Sequence, residues 1–188
     1  GDPKGQVILI TGGAGRVGHY AIQWAARAGA VVVATASNDE DEAVCRQAGA
    51  DHVVNHREPG WGARVLDTAG RKVDQVVEVE FGVNLPEVLD CIRIGGTICT
   101  YSSAQDKTPT LPFYRMMFMD LTVRMILVYD MPEEAKRQAI ADIAAVEASA
   151  GLTHRIAEIH PLEHCAKAHT AVEQGDRRGA ILLKIQEV

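Results

Sequence analysis

The sequence lacks any long apolar segment and any recognisable leader. No run of about 18 apolar residues, the length that spans a bilayer, occurs among its 188 residues. A basic start followed by an apolar stretch, which would indicate a secretory signal, is also absent. We therefore expect no membrane-spanning helix and no export.

Cysteine is sparse and an excess of basic residues is missing. Four cysteines are scattered at Cys45, Cys91, Cys99 and Cys165, and none forms a C-x-x-C pair. This pattern predicts free, buried thiols in a reducing compartment, so we expect a cytoplasmic protein. The formal net charge of -6 makes nucleic acid an unlikely partner, because a phosphate backbone attracts basic surfaces.

Strand-like and helix-like segments alternate through the first 130 residues. The β-forming runs are nearly continuous in apolar residues, as expected for a parallel sheet covered on both faces. Strands are predicted at residues 7–11, 30–35, 52–55, 73–79, 97–101 and 121–128, with helices at 16–28, 39–48, 63–69, 85–92 and 113–119. The prediction is an α/β protein with a Rossmann-type, doubly wound, parallel six-stranded sheet.

The remaining residues, 131–188, break this alternation. They predict a C-terminal helix-strand-helix-strand segment, with helices at 133–148 and 162–174 and strands at 155–159 and 180–185. We therefore divide the chain into a Rossmann domain at 1–130 and a C-terminal segment at 131–188.

A glycine-rich loop follows the first strand. The motif runs from Gly13 to Gly18 as G-A-G-R-V-G, with a strand before it and a helix after it. In such loops the first glycine permits a tight turn, the second lets the backbone approach a pyrophosphate, and the third lets helix and strand pack closely. The helix N-terminus then offers free N–H groups to phosphates. The alternative is a plain strand-to-helix turn.

The end of the second strand bears on the choice between NADPH and NADH. NAD sites usually carry an acidic residue there, but this strand ends in A-T-A-S at residues 34–37. Ser37 and Asn38 could donate to a 2′-phosphate, although Ser37 could instead cap the next helix in a capping box with Glu40. The acidic run at residues 39–42 would disfavour the binding of NADPH. We favour the alternative that this run is a solvated first helical turn. We expect NADPH, with NADH possible, and the nearest candidate cations are Arg16 and Arg57.

The chain resembles the NADPH:quinone oxidoreductases of zeta-crystallin type, in the medium-chain dehydrogenase/reductase superfamily. The segments that carry the resemblance are residues 7–30, 34–37, 47–58, 74–85, 89–103 and 160–185. The resemblance implies reduction of a quinone or an enone, and a homodimer or homotetramer. It implies no metal site, and we assign no catalytic residue.

The resemblance also implies which residues line the cofactor site. The glycine loop would contact the pyrophosphate, Ser37 the 2′-phosphate, His56 the adenosine end, and residues 126–128 the nicotinamide. The full set of expected cofactor contacts is Gly13, Ala14, Gly15, Arg16, Val17, Gly18, Ser37, His56, Asn84, Tyr101, Ser102, Ser103, Ala104, Ile126, Leu127 and Val128.

The chain departs from this family in several places. Members often have glycine where Arg16 stands, a basic residue near Asp41, and lysine where Ala180 stands. We expect the N-terminal GroES-like catalytic domain of the family to be missing. Residues 131–188, which would pack on it, are then expected to expose apolar surface, or alternatively to fold against the Rossmann domain or a second chain. The alternatives are an enoyl reductase, including the polyketide synthase type, and a dinucleotide-binding module without turnover.

The sequence gives only weak indications of a metal site, a nucleophile or an acid-base residue. His160, His164 and His169 do not share a helix face, so we expect no zinc site. Ser102 and Ser103 lack the G-x-S-x-G context of a nucleophile. A carboxylate at Glu78, inside a buried strand, needs a polar partner, and we expect structural pairing rather than acid-base catalysis.

Overall fold

A computed structural model describes residues 2–175 and 178–185. Six parallel strands form one sheet in the order β3-β2-β1-β4-β5-β6. The strands are β1 (Val7–Ile10), β2 (Val31–Ala36), β3 (His52–Asn55), β4 (Val73–Glu78), β5 (Ile92–Thr100) and β6 (Thr122–Met125). The predicted Rossmann-type sheet is confirmed.

Helices connect these strands and cover both faces of the sheet. They are α1 (Arg16–Arg27), α2 (Asp39–Gln47), α3 (Trp61–Ala69), α4 (Phe81–Cys91) and α5 (Phe113–Phe118). Side chains of β1 alternate between two separate apolar cores, since successive strand residues point to opposite faces. Val7 and Leu9 join one core, while Ile8 and Ile10 join the other.

The strand order reverses between β1 and β4. In open parallel sheets a crevice forms at such a switch point, outside the carboxyl ends of the strands. The chain leaves β1 into the glycine loop and leaves β4 at Val79 and Glu80, so these two segments form the walls of that crevice.

The C-terminal segment contains a second, two-stranded sheet. It contains α6 (Glu133–Ser149), β7 (Ile156–Pro161), α7 (Cys165–Gln174) and β8 (Ala180–Lys184), and β7 pairs in parallel with β8. No residue of α6 is buried, and Ile140 is 67% exposed. The expected exposure of apolar side chains is therefore present.

Several predicted element boundaries are wrong, and the start of β5 differs most, since it lies at Ile92 instead of residue 97. Two of the others have reasons that lie in the tertiary structure. Helix α4 begins at Phe81 instead of residue 85, because its first N–H groups find acceptors outside the helix: Phe81 N–H donates to the Ser102 carbonyl and Gly82 N–H to Ser103 Oγ. Strand β6 ends at Met125 rather than at residue 128. Only residues up to 125 pair with β5, whose last paired residue is Thr100.

Within residues 2–175 and 178–185, no helix combines the length and apolar character needed to cross a bilayer.

Candidate dinucleotide site

The glycine loop leaves β1 through a left-handed residue, which is Gly12 and not Gly13. Gly12 has φ +60°, and its N–H donates to Thr35 Oγ1 at 3.0 Å. Our assignment of the tight turn to Gly13 is therefore wrong. Gly13 is needed for packing instead, since a Cβ there would lie 2.8 Å from Cys45 Sγ.

The N-terminus of α1 is open towards solvent and ligand. Gly15 is the N-cap residue, so no side chain caps the helix, and its first turn holds no acidic residue. Gly18 lies so close to the loop that an added Cβ would be 2.3 Å from the Gly12 carbonyl oxygen. The uncapped N–H groups and the positive end of the helix dipole can receive an anionic phosphate.

Two adjoining cavities extend from this loop over the carboxyl ends of the strands. They measure about 620 Å³ and 280 Å³. Both are lined by Gly12, Thr35, His56 and Val79, so they adjoin, and we call the two together the cleft. This cleft lies at the switch point of the sheet, as expected for a dinucleotide site.

The smaller cavity is lined by an ion pair between Asp41 and Arg178, beside Ser37. Asp41 on α2 is only 4% exposed, and its carboxylate accepts hydrogen bonds from Ser37 Oγ at 3.0 Å and Asn38 Nδ2 at 3.3 Å. Arg178, which precedes β8, donates to the other oxygen of the same carboxylate. Asp41 is therefore not part of a solvated helical turn, as we expected from the sequence, because Arg178 covers it from 137 residues away.

The cap of α2 also differs from the prediction. Asn38 is the N-cap residue, and its Oδ1 accepts the Asp41 N–H at 2.9 Å. The predicted Ser37–Glu40 capping box is therefore absent, and the Ser37 hydroxyl is directed to Asp41 beside the cleft.

His56 lies where both cavities meet. Its backbone N–H donates to the Ala36 carbonyl at 3.0 Å, which ties it to the end of β2. Burial, reinforced by the neighbouring Arg57 guanidinium, lowers the pKa of the imidazole. His56 therefore presents a neutral ring to the cleft.

Glu78 at the end of β4 accepts several hydrogen bonds. Its Oε1 accepts from Thr11 Oγ1 at 3.0 Å, Asn84 Nδ2 at 2.8 Å and the Glu80 N–H at 2.5 Å. Burial raises the pKa of this carboxyl group. Its predicted structural pairing is confirmed, and the pairing holds Asn84 in the wall of the larger cavity.

A third cavity of about 310 Å³ gathers the predicted residues at the end of β5. Tyr101, Ser102, Ser103 and Ile126 line it. Burial, with a smaller contribution from Glu78, raises the pKa of Tyr101 to about 12. The Ser103 hydroxyl accepts a hydrogen bond from the Gly82 N–H and donates one to the Asp106 carbonyl. These hydrogen bonds give it a structural role, and it does not resemble a nucleophile.

Other predicted residues lie apart from these cavities. Val128 lines a separate apolar cleft against α6, with Tyr129 and Ile140, and Leu127 is 61% exposed. Ala104 donates its N–H to Glu80 Oε2 at 3.1 Å. The first-turn residues of α1, Arg16 and Val17, are exposed beside the loop.

Residues 17–145 match the family model described as zinc-binding dehydrogenase. The chain belongs to the zinc-binding dehydrogenase family. Its resemblance to quinone oxidoreductases is confirmed, since it is 30% identical to the quinone oxidoreductase of Sus scrofa over 167 residues, 88% of this chain and 50% of the relative.

Two further relatives of this zinc-binding dehydrogenase show the same partial overlap. A 2-haloacrylate reductase of Burkholderia sp is 28% identical over 188 residues, covering 95% of this chain and 55% of the relative. A mycobacterial protein solved in complex with NADPH is 25% identical, with a TM-score of 0.80, covering 96% of this chain and 57% of that one. The chain thus spans about half the length of the relatives it matches.

The histidines of this zinc-binding dehydrogenase do not cluster. His160 Nε2 lies 2.9 Å from Glu158 Oε2. In the part of the chain that the structure describes, no group of three or more His, Cys, Asp or Glu side chains is placed to hold a metal ion. Independence from zinc stays a prediction.

Sequence reasoning missed two arginines of the C-terminal segment. Arg155 donates to the Ala14 carbonyl in the glycine loop, and Arg178 pairs with Asp41. Neither arginine belongs to a local motif, so only the tertiary structure brings them to the cleft. The one signal in the sequence was the lack of the family's basic residue near Asp41. A buried acid requires a partner, so that partner had to come from elsewhere in the chain.

Proposed function

We propose that this chain is the cofactor-binding part of an NADPH-dependent oxidoreductase that reduces quinones or similar electron-poor alkenes. The observation that carries the proposal is the uncapped, acid-free N-terminus of α1, which opens on a cleft at the sheet's switch point. The quinone oxidoreductase and the 2-haloacrylate reductase among the relatives support the type of substrate.

The residues present fit a dinucleotide along this cleft. Gly12, Gly13 and Gly18 keep the loop free of side chains where a Cβ would meet other atoms at 3.0 Å or less. Gly15 and the first N–H groups of α1 would hold the pyrophosphate, and His56 would face the adenosine end. Ser37 would lie beside the 2′-phosphate, since β2 ends without an acidic residue to repel it.

The chemistry of the proposed reaction needs few groups from this chain. When bound, NADPH supplies a hydride to the substrate and leaves as NADP⁺, and a proton from solvent completes the hydroquinone or the saturated product. Tyr101, Ser102 and Ile126 line the third cavity and would position the reacting end and exclude water. The high pKa of Tyr101 keeps its hydroxyl protonated at neutral pH.

The choice of cofactor is tested by titrating the chain with NADPH and NADH and following fluorescence. We expect NADPH to bind more tightly, and Ser37→Asp to reverse the preference, because a carboxylate repels the 2′-phosphate and accepts from ribose hydroxyls. Ser37→Ala, which adds no charge, is the matched control and should keep the preference for NADPH. Tighter binding of NADH by the parent would overturn the cofactor assignment.

The substrate class is tested by following NADPH oxidation with 1,4-benzoquinone, an acrylate and a 2-enoyl thioester. Turnover with the quinone or the acrylate supports the proposal. Turnover confined to the enoyl thioester would establish the enoyl reductase instead.

A second candidate is a dinucleotide-binding unit without turnover of its own. It is favoured by the coverage of only about half of each relative's length. Tight NADPH binding without oxidation in the presence of any of these substrates would favour this candidate over the first.

We also propose that the protein forms a homodimer or a homotetramer. Support comes from β6, which is an edge strand of the sheet, and from the neighbouring side chains of Met125 and Phe118, which are mostly exposed. Light scattering coupled to gel filtration measures the mass directly, and a monomer at micromolar concentration would contradict this proposal. The cytoplasmic location stays a prediction.

A further inference from the structure

We propose that Arg178, supplied by the C-terminal segment, selects NADPH over NADH by binding the 2′-phosphate beside Ser37. This inference rests on the proposed function, since it assigns the specificity of the same cleft. It replaces our expectation that the second-strand end, aided by Arg16 or Arg57, provides that selectivity.

The first argument is position. Arg178 and Ser37 both line the cavity of about 280 Å³, together with Gly15 of the glycine loop. The carboxyl end of β2 in this cavity is where dinucleotide-binding folds place the group that reads the adenosine ribose. An arginine beside Ser37 therefore faces the position that distinguishes the two cofactors.

The second argument is charge. Among the described residues that line the smaller cavity, Arg178 alone is an arginine or lysine. Arg57 lines the larger cavity, and Arg16 lines neither. His56 is present, but its lowered pKa makes it a neutral group. A dianionic phosphate in this cavity would thus depend on Arg178 for its counter-charge.

The third argument is orientation by Asp41. The Asp41 side chain is 6% exposed, whereas that of Arg178 is 43% exposed, so the acid is buried beneath the guanidinium. Arg178 uses Nη1 on Asp41 Oδ1, and a guanidinium carries five N–H donors in a fixed plane. Asp41 therefore positions the guanidinium at the cavity, and the donors that face away from the carboxylate can bind phosphate oxygens.

The same arrangement explains how an acidic helix start can coexist with NADPH. The family that the chain resembles often has a basic residue near Asp41, and an unpaired carboxylate at Asp41 would repel a phosphate. Ser37, Asn38 and Arg178 all donate to this carboxylate, so its charge is compensated within the fold. Arg178 is distant in sequence, but in the folded chain it supplies the positive charge that the family's basic residue would supply near position 41.

The test compares two ligands that carry the 2′-phosphate, NADPH and adenosine 2′,5′-bisphosphate, with NADH, which lacks it. Dissociation constants are measured by calorimetry for the parent, Arg178→Gln and Arg178→Lys. We expect Arg178→Gln to weaken binding of NADPH and of the bisphosphate about tenfold to a hundredfold, the range for one charge-assisted hydrogen bond to a phosphate. NADH affinity should change less than about twofold, and Arg178→Lys should recover part of the loss, since it keeps charge but not the planar fork.

Two further variants keep the test interpretable. Arg46→Gln removes the same charge from an ion pair with Glu42 at the other end of α2, outside the cavities, and should leave all three affinities unchanged. If Arg178→Gln unfolds because Asp41 is left unpaired, the double variant Asp41→Asn with Arg178→Gln removes both charges. It should show the same selective loss of NADPH binding.

The outcomes separate this inference from the proposed function. A parent that binds neither dinucleotide contradicts the proposed function and this inference with it. A parent that prefers NADPH, together with an Arg178→Gln variant that keeps the full preference, overturns this inference alone. Equal weakening of NADPH and NADH would also overturn it, because that result indicates a structural role.

Discussion

At the scale of single residues, the environment of Glu78 near the cleft links the stability of the fold to pH. Its side chain is buried at the carboxyl end of β4 and its Oε1 accepts three hydrogen bonds, but its Oε2 has no hydrogen-bond partner among the described residues. Burial outweighs these hydrogen bonds, so the pKa of Glu78 is raised. Ionisation of this carboxyl group therefore opposes folding.

This environment predicts how stability depends on pH. A carboxyl group whose pKa is higher in the folded state binds its proton more tightly there, so its contribution is present below the unfolded pKa and is lost as pH rises through the folded pKa. Glu78→Gln stays neutral and escapes this loss. The free energy of unfolding of Glu78→Gln, relative to the parent, should therefore increase as pH rises from about 4.5 towards neutrality. Urea unfolding at several pH values measures it, and a difference that stays constant or falls would contradict the prediction.

At the scale of elements, α2 shows how one side chain sets a helix start. From the sequence we considered only Ser37 as the cap, although asparagine is an equally good capping residue. In the structure Asn38 Oδ1 accepts the Asp41 N–H, whereas the Ser37 hydroxyl binds the Asp41 side chain. Asn38 therefore stabilises the helix, and Ser37 remains at the cleft.

Alanine substitutions at these two positions separate the roles. Asn38→Ala should lower the free energy of unfolding by about 1 kcal/mol, the usual cost of losing a cap. Ser37→Ala, which leaves the cap in place, should lower it by less. Thermal or urea denaturation of both variants provides the comparison, and a larger loss in Ser37→Ala would show that Ser37 is the cap.

At the scale of the whole molecule, the two parts of the chain are stabilised very differently. The sheet domain has two buried apolar cores, whereas α6 has no buried residue. The C-terminal segment is held to α1 by polar contacts instead: Thr153 N–H donates to Gln23 Oε1 at 2.8 Å, and the Thr153 carbonyl lies 2.9 Å from His19 Nε2. The apolar face of α6 contributes little to folding of this chain.

Two isoleucines test this division. Ile22 in α1 is fully buried, while Ile140 in α6 is 67% exposed. Ile22→Ala should cost about 2–5 kcal/mol because it leaves a cavity in the core, and Ile140→Ala should change stability by less than about 0.5 kcal/mol. Chemical denaturation at low protein concentration measures both. A large loss in Ile140→Ala would show that α6 is covered in solution.

The sheet domain could be predicted from sequence because its signals are local. Apolar runs, the glycines of the loop and the acid-free end of β2 each lie within a few neighbouring residues, and they pointed to Gly15 and Ser37, which line the cleft. His56 was added by the family resemblance. The errors in predicted boundaries and turns arose where contacts with residues distant in sequence decide the local structure. The start of α4 depends on acceptors at Ser102 and Ser103, and the left-handed turn falls on Gly12 rather than Gly13.

The sequence by itself determined the order of strands and helices, the parallel sheet and the glycine loop, because periodicity and backbone freedom are properties of adjacent residues. Only the tertiary structure decided that Asp41 is buried, that Asn38 caps α2 and that Arg178 lies beside Ser37. The ion pair joins residues 137 positions apart. A contact of that range depends on how the C-terminal segment packs on the sheet domain, which no local pattern encodes.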